Sequence, residues 1–286
     1  MRYDDKRTQD MSTALVQAGN KQWWTAITMS YDDWGKQSPY EKFTPAWFDD
    51  IDKRFLHSDR LFSDQPNPFE ALMAGVKGKR VLEIGCGMGF HAELLTRAGA
   101  DLTTVDLSPT SVMATKKRLE LKGLKADVRE MDAESLALPD GHFDIVWSWG
   151  VILASARTGR IVREIDRVLK PGGEARIMVY NLEGMPAYKE MLTRYMIGFW
   201  FGKSLDEILW KSTDGFSARF YTKDMVADLL ATFFEQIAVT PFGEEANAVP
   251  LPRFLRRPLL KLISPSRQRA LARKHASYLY AVARKA

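Results

Sequence analysis

No stretch constrains the fold of this chain more than Val81-Leu-Glu-Ile-Gly-Cys-Gly-Met-Gly-Phe-His91. A β-favouring apolar run, Val81, Leu82 and Ile84, leads into glycines at alternate positions, Gly85, Gly87 and Gly89, and then into helix-compatible residues from Ala92 to Ala98. The pattern reads as a strand, a tight turn and a helix start. Glycine adopts positive φ at little cost and lets a ligand approach the backbone where a Cβ would collide. The N–H groups in the first turn of the new helix lack intrahelical partners and attract an anion. The negative end of a ligand is therefore expected at this turn.

The unit repeats downstream. Leu102–Val105 reads as a second strand followed by a helix over Thr110–Lys122, and Asp127–Glu130 as a third strand leading into the loop Met131–Gly141. Phe143–Trp149 is a strongly apolar fourth strand. An amphipathic helix over Gly159–Leu169 carries Ile161, Ile165, Val168 and Leu169 on one face, and Lys170-Pro-Gly-Gly173 stops it before a fifth strand, Glu174–Tyr180. A helix over Tyr221–Phe234, with Thr222 as its N-cap, and two strands, Glu235–Phe242 and Ser277–Ala283, complete the alternation. This order predicts an α/β fold with a mostly parallel, doubly wound sheet covered on both faces. Ligands of such sheets lie at the carboxyl ends of the strands.

Two segments stand apart from that alternation. Residues 1–70 read as an N-terminal arm of short helices and loops, dense in aromatic side chains that either pack or reach a ligand; Trp23, Tyr31 and Trp34 are the candidates for contact. Residues 71–286 read as one domain with two insertions. The first, 182–220, carries Met185, Tyr188, Met191, Phe199 and Trp210, and is expected to cap the substrate, with satellite packing or a dimer surface as alternatives. The second, 243–276, is basic.

Composition narrows the class. At 286 residues, 45% of them hydrophobic, the chain is large enough to bury a sizeable core. Met1 to Arg7 carries both charge signs and no apolar run of signal-peptide type, and no apolar run approaches the roughly 20 residues of a membrane span. A soluble, cytoplasmic protein is expected. One cysteine, Cys86, allows neither an intramolecular disulfide nor a Cys-cluster zinc site, and no metal is expected. The formal charge of +5 is local: eight basic residues and no acid lie between Leu251 and Lys274, and setting them aside leaves 33 basic residues against 36 acidic. Such a cluster serves nucleic acid, an anionic membrane surface or a phosphorylated substrate, or forms a solvated helical face.

A glycine turn alone does not name a ligand. The dinucleotide fingerprint is Gly-x-Gly-x-x-Gly, whereas here Gly85-Cys-Gly-Met-Gly-Phe puts phenylalanine at position 90, which argues against NAD. Three acids lie in register with the turn. Glu83 stands inside the first strand, where a carboxylate is costly without a cation or donor; Asp106 follows the second strand, 17 residues past Gly89; Asp132 follows the third. For a ligand with an amine, a ribose and an adenine, each has work to do. Asp106 would accept from the ribose hydroxyls, Asp132 from the adenine amino group beside the Ala133 N–H, and Glu83 would face the ammonium.

At these residues the chain resembles the class I S-adenosylmethionine-dependent methyltransferases of small-molecule type. Val81–Gly89 is similar to the family's first motif, Val105-Asp-Leu-Ser-Pro109 to its ribose-binding turn, and Met131-Asp-Ala-Glu134 to its adenine-binding loop. Phe143–Trp149 and Arg167-Val-Leu-Lys-Pro-Gly-Gly173 resemble its later signatures. The resemblance implies a seven-stranded Rossmann-like sheet with an antiparallel last strand, and methyl transfer from S-adenosyl-L-methionine to a nucleophile. It also implies that Cys86, Leu107, Ser148 and Trp149 join Glu83, the three glycines, Asp106, Asp132 and Ala133 around the cofactor, with Tyr31 and Trp34 from the arm.

The methyl group arrives activated, so the protein has mainly to hold an acceptor in line in a dry pocket. A hydroxyl acceptor also needs a proton acceptor. Many relatives carry histidine just after strand four, but this chain reads Gly150-Val-Ile-Leu-Ala-Ser155, and Leu153 and Ala154 take no proton. His57, His142 and His275 lie away from the expected site. His91, Tyr180 and Tyr221 are the remaining catalytic candidates, with Asn181 beside them. The leading expectation is methyl transfer to the oxygen or nitrogen of a small polar acceptor, a sugar or a lipid-linked precursor. An RNA methyltransferase and a cofactor-binding protein without turnover are the rivals.

Overall fold

The computed structural model describes residues 13–26, 38–59, 69, 73–190, 202, 218–243, 245–251 and 253–286. Tyr31, Trp34 and most of the expected cap fall outside them. Two helices, α1 (Thr13–Ala26) and α2 (Pro45–Asp59), precede the sheet. Then follow β1 (Arg80–Ile84), α3 (Phe90–Arg97), β2 (Asp101–Asp106), α4 (Pro109–Leu121), β3 (Asp127–Glu130), β4 (Phe143–Trp149), α5 (Thr158–Val168) and β5 (Leu169–Asn181). The chain continues through α6 (Met185–Glu190), β6 (Phe220–Tyr221), α7 (Lys223–Ala231), β7 (Glu235–Phe242), α8 (Glu245–Ala248), α9 (Arg253–Leu262), α10 (Pro265–Lys274) and β8 (Tyr278–Arg284).

The strands lie in the order β3-β2-β1-β4-β5-β8-β7. β1 pairs in parallel with β2 and β4, while β8 runs antiparallel between β5 and β7. This is the doubly wound sheet with an antiparallel last strand that the sequence predicts, and it turns its order at β1 and β4, where the carboxyl ends splay apart and leave a crevice. Two details differ. The two-residue β6 pairs with Tyr180 and Asn181 beyond the point where β4 has ended at Trp149, the partner of Met178, making an eighth strand. Lys170 to Gly173 does not lie ahead of β5 but inside it, as a bulge that shifts the register with β4 between Phe143 and Ile145. Gly173 is needed there, because a Cβ would stand 2.8 Å from the carbonyl oxygen of Lys170.

Successive strand residues point to opposite faces, and both faces are buried, which is why β1 and β4 read as nearly continuous apolar runs. Leu82, Ile84, Val146, Ile177 and Val179 pack with Ile161, Val162, Ile165 and Val168 of α5 and with Val226 and Leu230 of α7. Val81, Ile145, Trp147 and Met178 pack on the other face with Ala92 and Leu95 of α3, Phe55 of α2, and Phe69. The basic stretch folds into α9 and α10, seated through Leu260 and Ala272 on Ala248 and Val249. Among the described residues no helix is long and apolar enough to cross a membrane.

A buried charge cluster ties α2 to the sheet. Arg118 of α4, 2% exposed, sends Nη1 to Asp52 Oδ1 at 2.8 Å and Nε to Glu93 Oε2 at 2.8 Å. Its guanidinium also lies over the rings of Phe48 and Phe90 at 5.3 and 5.6 Å. One arginine thus joins α2, α3 and α4 behind the glycine turn.

Candidate active site

The turn after β1 is built as its glycines require. Gly85, Gly87 and Gly89 all have positive φ, at 84°, 50° and 79°. At Gly85 the absence of a side chain is obligatory, since a Cβ would stand 2.1 Å from Val151 Cγ2. Gly89 caps α3, and a Cβ there would stand 3.1 Å from Thr115 Cα, tighter than an ordinary contact. The β1 ladder extends one residue into the turn, with Gly85 N–H donating to the Val105 carbonyl at 2.7 Å.

Asp106, at the carboxyl end of β2, closes the turn from the side. Its Oδ2 accepts from the Gly87 N–H at 3.0 Å and its Oδ1 from the Ser108 N–H at 2.8 Å. Burial pushes this carboxyl above its usual range, against the pull of those two donors. Beneath the turn, Glu83 is 1% exposed. Thr104 Oγ1 donates to its Oε2 at 2.6 Å, while its Oε1 is buried with no partner among the described residues. Burial, then the nearby Asp106 charge, push the Glu83 carboxyl up to about 8, the Thr104 hydroxyl opposing.

The carboxyl ends of β1, β2 and β4 and the loop after β3 surround an open cavity, about 1070 Å³ when the solvent in its mouth is counted. Asp106, Ser111, Ser155, Gln17 and Asn20 supply polar groups to its wall, and Val151, Leu153, Ile161, Trp149 and Tyr180 are among its apolar residues. Helix α1 lies across it. Gln17, Asn20 and Trp24, on one face at helical spacing, line the cavity, and α1 is held down at both ends. Gln17 donates to Asp132 Oδ1 at 2.9 Å, Asn20 to the Ala154 carbonyl at 2.6 Å, and Ser108 and Thr110 donate to the carbonyls of Trp24 and Thr25.

The sequence candidates divide into three groups. Gly85, Gly87, Asp106, Leu107, Ala133, Trp149 and Tyr180 line the cavity. Glu83, Cys86, Gly89 and Ser148 are buried within or beneath the turn, where burial also pushes the Cys86 thiol up. Asp132 stands behind the wall, accepting from Gln17 and from the Glu134 N–H. His91 and Tyr221, proposed on sequence as catalytic, are not on the wall. The His91 ring is boxed between Phe55, Phe69, Phe90, Trp147 and Trp149, with centroids 4.7–5.6 Å away, and burial lowers its pKa to about 3. The Tyr221 hydroxyl is engaged with Thr158 Oγ1 at 3.1 Å. Trp23 gives way to Trp24 because the 100° helical step turns position 23 outward, 36% exposed. The functional face of α1 was missed altogether; Gln17, Asn20 and Trp24 at i, i+3 and i+7 were its signal.

Residues 82–177 match the family model of a methyltransferase domain. Two curated relatives are ubiquinone biosynthesis O-methyltransferases. That of Azorhizobium caulinodans is 31% identical over 186 residues, covering 63% of this chain and 66% of the relative; that of Roseobacter denitrificans is 28% identical over 217 residues, covering 76% and 78%. The first alignment thus stops just short of two thirds of the relative's own length. In fold, an S-adenosylmethionine-dependent methyltransferase from Mesorhizobium loti superposes with a TM-score of 0.52 at 18% identity, over 79% of this chain and 100% of that one. Residues 82–177 are thus a methyltransferase domain, on the fold of the class I S-adenosylmethionine-dependent methyltransferases, and the cofactor which that domain implies is S-adenosyl-L-methionine.

The residues present fit that cofactor. The turn offers a cradle that a Cβ at Gly85 would fill, Asp106 presents a carboxylate on the cavity wall, and Glu83 holds a buried carboxyl oxygen with no donor among the described residues.

Proposed function

We propose that this protein transfers a methyl group from S-adenosyl-L-methionine to a hydroxyl oxygen of a small acceptor whose body is apolar: an aromatic ring of phenol type, free or lipid-linked. The observation that carries the reading is the largely apolar wall, with Trp149, Val151, Leu153, Ile161 and Tyr180 lining the same cavity as the glycine turn and Asp106. The names of the two relatives support oxygen as the atom methylated.

When bound, the cofactor supplies a methyl group already activated by its positive sulfur. Asp106 would hold the ribose hydroxyls, Ala133 the adenine edge with Asp132 behind it, and Glu83 the ammonium. Elsewhere on the wall, Trp149 and Tyr180 orient the acceptor ring, and α1 with Trp24 excludes water, so the reacting atoms are held in line rather than brought together by chance. No histidine stands on the described wall, and Asp106 already receives two N–H groups. An acceptor whose own hydroxyl ionises near 10, as a phenol's does, needs less help in losing its proton than an alcohol. A sugar suits the site poorly, because its remaining hydroxyls would face apolar side chains without partners.

Incubation with S-adenosylmethionine labelled in the methyl group and matched phenol, sugar and amine acceptors tests this. Label on the phenol oxygen is expected. Label on an amine alone, or on none while the cofactor binds, contradicts it, and the last result would favour a cofactor-binding protein in which Leu153 and Ala154 have replaced the proton acceptor.

A further inference from the structure

The basic stretch is amphipathic the wrong way round for a helix of the core. Leu260 of α9 is buried and Arg256 half-buried, so these positions mark the inner side, with Ile263 packing just beyond the helix end. On the opposite side, Phe254, Pro258 and Leu262 follow one another at i, i+4 and i+8, with Phe254 75% and Leu262 83% exposed. Leu255 and Leu259, both exposed, flank this stripe on one side, and Arg257 and Lys261 on the other. Contiguous apolar surface of this kind on a folded chain marks a site of contact. Around it the charge has one sign: the eight bases of 251–274 have no acid among them, whereas the rest of the chain carries a small excess of acids.

We propose that the outer face of α9 docks on an anionic lipid bilayer, with Phe254, Leu262 and their leucine neighbours entering the headgroup region and Arg257, Lys261 and the bases of α10 meeting the lipid phosphates. An aromatic and leucines on one face bordered by Lys and Arg is the composition of an interfacial helix, and each base near an anionic surface adds about fivefold in affinity. Nucleic acid would complement the charge but offers nothing to a stripe of leucines. The docking surface also stands at the right end of the molecule. The α8–α10 insertion leaves β7 at Phe242 and returns at Tyr278, and Tyr278 pairs with both Phe242 and the cavity residue Tyr180. Immediately before it, the Ala276 carbonyl accepts from the Asn181 side chain at 2.9 Å. Docking through α9 therefore brings to the bilayer the same sheet edge that holds the cavity, which gives a lipid-linked acceptor a short path.

The test is flotation of the whole chain with vesicles of phosphatidylglycerol and phosphatidylcholine, and with phosphatidylcholine alone. Binding to the anionic vesicles, weakened at high salt, is expected. The double variant F254S/L262S, altered only at exposed positions, should lose at least tenfold in vesicle affinity with its melting temperature and cofactor affinity unchanged; R257Q/K261Q should lose a comparable factor at low salt. No flotation with anionic vesicles overturns the proposal. So does flotation indifferent to F254S/L262S, which would reduce the contact to general electrostatic attraction. Salt-sensitive RNA binding without vesicle binding, or a dimer that F254S/L262S dissociates, would assign the face to another occupant.

Discussion

Arg118 and Glu83 flank the same glycine turn, one behind Gly89 and the other two residues ahead of Gly85, and both are almost wholly buried. Arg118 is fully paired: Asp52 and Glu93 take its donors and two aromatic rings cover it. Among the described residues, Glu83 has one hydroxyl donor on one oxygen and nothing on the other. A buried charge with its partners in place holds a structure together, whereas one that lacks a partner is costly and marks where a partner arrives. The turn between them is thus supported from one side and left open from the other.

That contrast can be broken at its stronger member first. Arg118→Met leaves Asp52 without its cation and Glu93 with Arg97 alone, and removing one member of a buried ion pair costs about 3–5 kcal/mol. At roughly 2–4 °C per kcal/mol for chains approaching this size, the melting temperature followed by circular dichroism should fall by about 10 °C. A change of a degree or two would show that the cluster is not a clamp.

Glu83→Gln probes the other member and should act on binding. A hydrogen bond to a charged group contributes about 1.5–3 kcal/mol, so affinity for S-adenosylmethionine should fall roughly ten- to a hundredfold. The cofactor-free protein should respond in the opposite sense. With its folded pKa of about 8 above the ordinary 4.5, Glu83 keeps in the folded state a proton that the unfolded chain gives up in that window. Its contribution to stability is complete below 4.5 and is lost as pH rises towards 8. Glu83→Gln should therefore flatten that slope and raise the melting temperature at pH 8. In the wild type at pH 7, cofactor binding should release a proton, visible as a dependence of the calorimetric heat on buffer ionisation enthalpy, and the variant should release none.

The smallest effect on catalysis is expected at His91. Its pKa of about 3 lies below the ordinary 6.5, so the unfolded chain binds a proton that the folded one refuses and stability falls as pH drops from 6.5 towards 3. His91→Phe should flatten that acid loss, followed by melting at stepped pH, and leave the methyl-transfer rate within a few-fold. A thousandfold loss of rate with an unchanged fold would return His91 to the chemistry.

What the sequence made legible follows the reach of its interactions. The turn could be read because its constraint is local: three alternate glycines, a strand before and a helix after, with Asp106 one βα unit on. The doubly wound sheet and its antiparallel last strand were implied by the resemblance and are present. The support behind the turn was not legible, because Arg118 meets Asp52 at a separation of 66 residues and Glu93 at 25, and nothing local marks an arginine as buried. His91 looked catalytic from its place after the glycines, but the α3 start turns it into the rings of Phe55 and Phe69, which come from the N-terminal arm. The roof of the cavity was hidden for the same reason. Gln17, Asn20 and Trp24 make sense only against Asp132, Ala154 and Ser108, more than 80 residues away.

The central claim is that Asp106 and the glycine turn hold S-adenosylmethionine, and calorimetric titration of the cofactor into wild type and Asp106→Ala tests it most directly. Asp106 is the acid on the cavity wall and also the acceptor for the Gly87 and Ser108 N–H groups. Wild type should bind one equivalent per chain and the variant at least tenfold more weakly. An unchanged isotherm for Asp106→Ala would contradict the account.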